Sequence, residues 1–325
     1  MNPSERVDGA TKLTVEASEA GTRLDVFLAR RQAVPSAAAA RRAVASGIVR
    51  VGGHKAKKGT HLQPGEVVEL GEGSAEAVVL AATPDVGLTV RYQDDDLVAV
   101  DKPGGIASHP LRAGDGPTVA SALVARFPEC AAASPDAREG GLGHRLDVGT
   151  SGVLLAARSR EAWYRLREAL ATPACEKIYL AEVRGRFPSG EERESEEREL
   201  VLPGPRPSSF VVTVPIGRKG RRGNKVKLDA GRQPLAARTE ITLLETRPGG
   251  ALIEARLVHG RAHQVRAHLA YLGVPVAGDA TYGEVDEAGD TGLRLHAWAV
   301  SIIHPITSKL LRIEAPLPTW AQRRG

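Results

Sequence analysis

Two stretches of the chain place chemically able side chains at spacings a fold can use. Residues 143–159, GHRLDVGTSGVLLAARS, set Asp147 just ahead of a Gly-Thr-Ser-Gly turn and an apolar run. A carboxylate at the start of a rigid element can be aimed into a cleft. The same spelling also suits an Asp that merely caps its turn beside a surface arginine. A serine nucleophile at Ser151 is disfavoured, because Gly149-Thr150-Ser151-Gly152 lacks the G-x-S-x-G elbow. Residues 259–268, HGRAHQVRAH, bring His259 and His263 to a four-residue spacing that could hold a metal on a helix face. No H-E-x-x-H accompanies them, no third ligand is evident, and Arg261 and Arg266 would repel a cation. An arginine-bearing helix start suits a phosphate or carboxylate instead. An exposed helix with ordinary polar residues reads the same way. The turns VDKPGG (100–105) and EGGLG (139–143) lack the glycine spacing of a nucleotide loop, and Lys102-Pro103-Gly104 reads as a structural turn.

These residues need elements to hold them. GVLLAA at 152–157 predicts a buried strand that fixes the end of the Asp147 turn. Val265, Leu269 and Leu272 recur at helical spacing, so 262–272 predicts a helix, stopped by Gly273 and Pro275. LTVRY and LVAV read as strands about the turn 93–96, 117–127 and 161–170 as helices, and IYLAEVRG, ARTEITLLE and GALIEARLV as further strands. PECAAASPDAREGG reads as a loop, 191–199 as a solvated acidic excursion and 218–227 (RKGRRGNKVK) as a basic loop. Ahead of these, KLTVE reads as a short strand. Leu24, Phe27 and Leu28 mark one face of a helix, and 37–46 predicts a second helix that ends at Gly47. IVRV and VVEL (67–70) then form a hairpin around a basic loop. The expected organisation is a mobile N-terminus (1–11), a small domain (12–71), a linker (72–86) and an α+β domain with a mixed sheet (87–325).

The 325 residues favour two domains, and 42% hydrophobic with 26% charged residues is the composition of a globular chain. No apolar run reaches the ~18–20 residues of a membrane span, and MNPSERVDGATK has no signal-peptide pattern. A cytoplasmic protein is expected, with Cys130 and Cys175 reduced. The charge is uneven. Arg23, Arg30, Arg31, Arg41, Arg42, Arg50, Lys55, Lys57 and Lys58 face only Asp25, Glu66 and Glu69 within 21–70. That block carries more positive charge than the whole chain's net +5. Such asymmetry fits either a module facing a polyanion, nucleic acid above all, or a plain solvated basic face.

Taken together, the motifs resemble the RluA family of pseudouridine synthases over nearly the whole chain. VAVDKPGG (98–105) with His109-Pro110 is similar to the strand and Lys-Pro-x-Gly turn that open the family's catalytic domain. His144, Arg145, Leu146, Asp147, Thr150, Ser151 and Gly152 match its signature, and Lys177 with Tyr179 its Lys-x-Tyr strand. Gly260, Arg261, His263, Gln264, Val265, Arg266, His268 and Leu269 match its helix start. Pro275, Gly278, Asp279, Tyr282 and Gly283 match the run that follows, and LHAWAVSIIHP (295–305) a late strand. The N-terminal block, with GTRLDVFLA, Ser36, Gly47-Ile48-Val49 and PGEVVEL, resembles the αL RNA-binding motif of a small-subunit ribosomal protein. Val148 and Gly149 depart from the family's usual basic-acidic pair, His259 from its Thr, and Ala37 from the motif's usual Arg.

The resemblance implies isomerisation of uridine to pseudouridine within RNA, on an α+β synthase domain preceded by a small αL domain. No cofactor and no metal is implied, and ribosomal RNA of the large subunit is favoured over transfer RNA as partner. It implies Asp147 as the essential carboxylate, Arg266 as the cation that keeps it ionised, and Tyr179 as a stacking partner for the flipped base. Arg145 and His144 are implied RNA contacts, and Arg261 and His263 phosphate or framework contacts. Arg41, Arg42, Lys55, Lys57 and Lys58 are expected to grip RNA from the small domain. The rival readings are a catalytically silent RNA-binding protein on the same fold and a metal-dependent hydrolase acting on RNA.

Overall fold

The structure is a computed structural model. It describes residues 4–7, 10–34, 37–57, 59–71, 80, 82–83, 86–111, 115–187, 201–203, 209–217, 225–226, 228, 234–258, 260–283 and 292–322. The first part holds β1 (Ser4–Val7), β2 (Ala10–Thr14), α1 (Leu24–Arg30), α2 (Ala37–Ser46), β3 (Val49–Val51), β4 (His54–Lys55) and β5 (Val67–Leu70). Its strands run antiparallel in the order β1-β2-β5-β3-β4. Leu24, Phe27 and Leu28 of α1 and Ala40, Ala43 and Val44 of α2 bury against Leu13, Val49 and Val68 of the sheet. Gly47 ends α2 in the left-handed region (φ 81°), the terminator the sequence predicts.

The larger sheet carries β6 (Thr89–Gln93), β7 (Leu97–Lys102), β8 (Ser151–Ala157), β9 (Glu176–Arg184), β10 (Val201–Pro203), β11 (Ser209–Val212), β12 (Thr239–Arg247), β13 (Gly250–Leu257), β14 (Leu295–Ile303) and β15 (Leu310–Glu314). Helices α3 (Val119–Arg126), α4 (Cys130–Ala133), α5 (Arg160–Ala169) and α6 (Gln264–Tyr271) connect them. Strand order is β10-β11-β12-β13-β9-β14-β8-β7-β6, with β15 beside β14. The β14–β8 pair is parallel and the other pairs are antiparallel, so the sheet is mixed. Alternation along β7 and β8 feeds two cores. Val98, Val100, Leu154 and Ala156 face α3, whereas Leu97, Ala99, Val153 and Leu155 face Ala162 and Leu166 of α5. A third core packs Val265 and Leu269 of α6, with Leu272 just beyond its end, on Ala181, Ile253 and Ala255.

The register of the central strands positions the site. Gly152 of β8 pairs Ala297 of β14, and Ala297 pairs Tyr179 of β9. The end of the Asp147 turn and Tyr179 therefore share one row, two strand spacings or about 10 Å apart. Gly152 is obligatory there: at φ 110° a Cβ would lie 2.2 Å from the Ala297 carbonyl oxygen.

Several expectations are corrected. Residues 4–7, expected to be mobile, form edge strand β1, held by backbone pairing with no apolar pattern to announce it. Leu80 and Thr83, expected in a linker, belong to the larger unit: Leu80 buries in the α3 core and Thr83 Oγ1 donates to Ser121 Oγ at 2.6 Å. The loop at 128–141 contains α4. The acidic excursion 191–199 and most of the basic loop 218–227 lie outside the described residues. Among the described residues no helix is long and apolar enough to cross a membrane.

Candidate active site

Asp147 opens a turn closed by the Thr150 amide donating to its carbonyl at 3.1 Å. The turn is clamped from both sides. Ser108 Oγ donates to the Leu146 carbonyl and accepts the Leu146 amide. Beyond Asp147, the Val148 carbonyl accepts from the Gly105 amide at 2.8 Å and from Lys102 Nζ at 3.0 Å. Lys102 is fully buried, and burial pushes its ammonium down to about 8. Its second hydrogen bond goes to the Pro103 carbonyl. The Lys-Pro-Gly turn is thus structural, as the sequence suggests, and what it braces is the carboxylate turn. Gly149 lies where a Cβ would meet Leu293 at 2.9 Å, and Val148 projects into solvent with 54% exposure.

Across the cleft, α6 delivers Arg266. Its Nη1 donates to Asp147 Oδ2 at 2.8 Å, while Nε and Nη2 both donate to Asp279 at 2.7 Å. Asp279 is buried and also accepts the Thr281 and Tyr282 amides. Burial opposes its charge, but the guanidinium and these amides together hold its carboxyl below the usual range. A bidentate ion pair on one edge of Arg266 fixes the guanidinium plane, so its remaining edge presents a directed cation to Asp147. Asp279 is the residue that sequence reasoning gave no role. The Gly-Asp-x-x-Tyr-Gly run signals it, but only tertiary structure sets it against α6.

His263 precedes α6, with Nε2 3.7 Å from Asp147 Oδ1 and Nδ1 3.2 Å from Tyr282 Oη. Tyr179 is near enough for the Asp147 charge to raise its phenol, though burial is the larger cause. Its ring packs between two of the cores. Asp147, Tyr179, Arg266 and His263 therefore converge. Arg145 is exposed.

The remaining sequence-predicted residues are placed differently. His144 does not aim its ring at an RNA surface: Nε2 accepts the Leu155 amide at 3.1 Å, and burial pushes the imidazole down to about 3. It is a neutral framework group. Arg261 Nε donates to the Ala236 carbonyl, a tie to the segment before β12. The polar start of α6 is no exposed face, because Gln264 and His268 are buried and both bond Thr239. His259 lies outside the described residues, so the His259–His263 pairing gains no geometry. In the small domain, Lys55 and Lys57 are exposed. Arg41 also projects outward but lies 3.5 Å from Asp25. The Arg42 side chain and Lys58 lie outside the described residues.

Among the described residues, Asp94, Asp96 and His304 come close enough together to hold an ion. Their hydrogen bonds argue otherwise. His304 Nδ1 accepts the Ile306 and Thr307 amides, so Nε2 carries the hydrogen it donates to Asp94 Oδ2 at 2.9 Å. That nitrogen has no lone pair for a metal.

Comparison with known proteins bears on this geometry. Residues 96–271 match the RNA pseudouridylate synthase family, and residues 22–68 match the S4 domain. An uncharacterized RNA pseudouridine synthase of Mycobacterium bovis is 34% identical over 93% of this chain and 93% of its own. The ribosomal large subunit pseudouridine synthase D of Xanthomonas campestris is 32% identical, covering 98% of this chain and 93% of its own. The structure of human RNA pseudouridylate synthase domain containing 1 shares the fold, with a TM-score of 0.54 at 24% identity over 71% of this chain and 84% of that one.

Proposed function

Because the chain belongs to the RNA pseudouridylate synthase family, we propose that Asp147 is its reacting carboxylate and large-subunit ribosomal RNA its substrate. The reaction breaks the bond between uracil N1 and ribose C1′ and forms one from C5 to C1′. The hydrogen on C5 leaves to solvent, and N1 takes up a proton. Electrons and atoms balance within the nucleotide, so the reaction asks for no redox carrier.

The ion pair of Asp147 with Arg266, itself anchored by buried Asp279, carries this reading. The anchored guanidinium sets a fixed, directed cation against one oxygen of Asp147. Tyr179 is the stacking surface for the extruded uracil, and Arg145 supports the opened strand. Extrusion costs a few kcal/mol, which the basic small domain offsets by holding the surrounding RNA. The ribosomal target rests on the relatives named as large-subunit synthases D and C, with transfer RNA the runner-up. The cytoplasm is the compartment this implies.

The test uses unmodified large-subunit ribosomal RNA carrying tritium at uracil C5. Wild-type protein should release tritium to water. Asp147→Asn is nearly isosteric and should release none, while its RNA affinity stays within a few-fold in a filter-binding assay. Turnover by the mutant would remove Asp147 from the chemistry. Strand cleavage would mean a hydrolase, and binding without release by the wild type a silent RNA-binding protein or another RNA target.

A further inference from the structure

Arg266 holds only one oxygen of Asp147. The other, Oδ1, faces His263 Nε2 at 3.7 Å. His263 adopts a left-handed backbone conformation (φ 56°), uncommon for a residue with a side chain and concentrated at functional sites. Its ring is oriented from behind. Nδ1 lies 3.2 Å from Tyr282 Oη, and that oxygen accepts the Val226 amide at 2.8 Å. The Tyr282 ring is flanked by the Arg266 guanidinium at 5.3 Å and Lys225 Nζ at 5.2 Å.

These contacts favour one placement of the hydrogens. Burial raises the Tyr282 phenol above its usual value, so it keeps its proton. Its hydroxyl hydrogen is placed to be donated to His263 Nδ1, and the acceptor-only Asp147 carboxylate on the far side of the ring favours that arrangement, because the alternative would turn a lone pair of Nε2 toward Oδ1. A neutral imidazole that accepts at Nδ1 carries its hydrogen on Nε2. A protonated ring carries one there too. Either way, an N–H faces Oδ1 of Asp147. At 3.7 Å it is longer than a hydrogen bond, and contacts of this kind tighten when substrate binds.

We propose that His263 is a positioning residue for the isomerisation: its Nε2–H, set by Tyr282, directs Oδ1 of Asp147 while Arg266 holds Oδ2. The inference rests on the reading of Asp147 as the reacting carboxylate. Two directed donors on different oxygens define the plane of a carboxylate, which one donor leaves free to rotate about its Cβ–Cγ bond. The device also ties the carboxylate to Lys225 and Val226, which seat the Tyr282 side chain.

Two measurements test it. In protein with ¹⁵N-labelled histidine, at a pH where the ring is neutral, the His263 signal, assigned by its loss in His263→Ala, should report hydrogen on Nε2. In Tyr282→Phe, which keeps the ring stack but loses the hydroxyl, that preference should weaken. Hydrogen on Nδ1 in the wild type would overturn the proposal without reference to any substrate. In the tritium assay, His263→Ala should lower kcat about 10- to 100-fold, the scale of loss when a reacting group shifts by about 1 Å, with KM little changed. His263→Gln, whose amide N–H can reach the place of Nε2–H, should recover part of that loss. An unchanged kcat, or a raised KM at wild-type kcat, would make His263 a framework or RNA contact instead. Failure of wild-type protein to release tritium would indict the proposed substrate and leave the tautomer result standing.

Discussion

Arg266 and Arg261 sit five positions apart in the same motif, yet their surroundings predict opposite consequences of removal. Arg266 satisfies a fully enclosed Asp279 side chain through two hydrogen bonds of 2.7 Å and Asp147 through a third. Arg266→Ala would strand the Asp279 charge, and breaking one side of a buried pair costs about 3–5 kcal/mol. Arg261 makes a hydrogen bond to the Ala236 carbonyl from a half-buried position, worth about 0.5–1.5 kcal/mol. Arg266→Ala should therefore abolish turnover and lower the urea midpoint well below that of Arg261→Ala. Asp147→Asn should abolish turnover with little change in midpoint. Were Arg261→Ala the less stable and less active of the two, the role given to the Arg266–Asp279 pair would be wrong. A buried ion pair is poor evidence for net stability, and here its sense is directional: Asp279 fixes the guanidinium that faces Asp147.

At the scale of elements, the site depends on β14 lying between β8 and β9. Gly152 lets β8 approach β14 closely, which brings the Asp147 turn into register with Tyr179. Gly152→Ala adds one methyl that meets the Ala297 carbonyl at 2.2 Å from a left-handed backbone conformation. It should cost at least the about 1–3 kcal/mol typical of overpacking and lower kcat together with the urea midpoint. A wild-type midpoint would show that the close approach of these strands is not required. Position 143 shows the same logic on the opposite face, where a Cβ would meet Leu166 of α5 at 2.6 Å. Gly143 and Gly152 thus let α5 and β14 crowd the turn that carries His144-Arg145-Leu146-Asp147.

For the whole molecule, the basic surplus of the first domain is partly neutralised within that domain. Arg31 pairs with Glu16 and Glu19, and Arg23 and Arg41 both approach Asp25. Lys55 and Lys57 are exposed cations with no such ion pair among the described residues. Replacing both with alanine should weaken affinity for structured RNA and flatten the slope of log affinity against log salt by up to about 1.8, at roughly 0.9 per phosphate contact. The value of kcat at saturating RNA should be unchanged. An unaltered slope would mean that these two lysines do not touch RNA.

What the sequence by itself determined is local. Apolar spacing set α1, α2, α6 and the central strands, because burial of Leu24, Phe27 and Leu28, or of Val265, Leu269 and Leu272, is a matter of period. The resemblance to the synthase family, carried by the matched motifs, nominated Asp147, Tyr179 and Arg266 for one site. Spacing is silent on β1, which pairs with β2 through the backbone, and on Leu80 and Thr83, whose contacts lie on α3. It is equally silent on direction. Whether His144 turns to RNA or to the Leu155 amide, and which partner braces Arg266, depend on atoms that meet only across strands and helices. The tertiary structure decided these, because hydrogen bonds and ion pairs act over about 3 Å and are blind to distance along the chain.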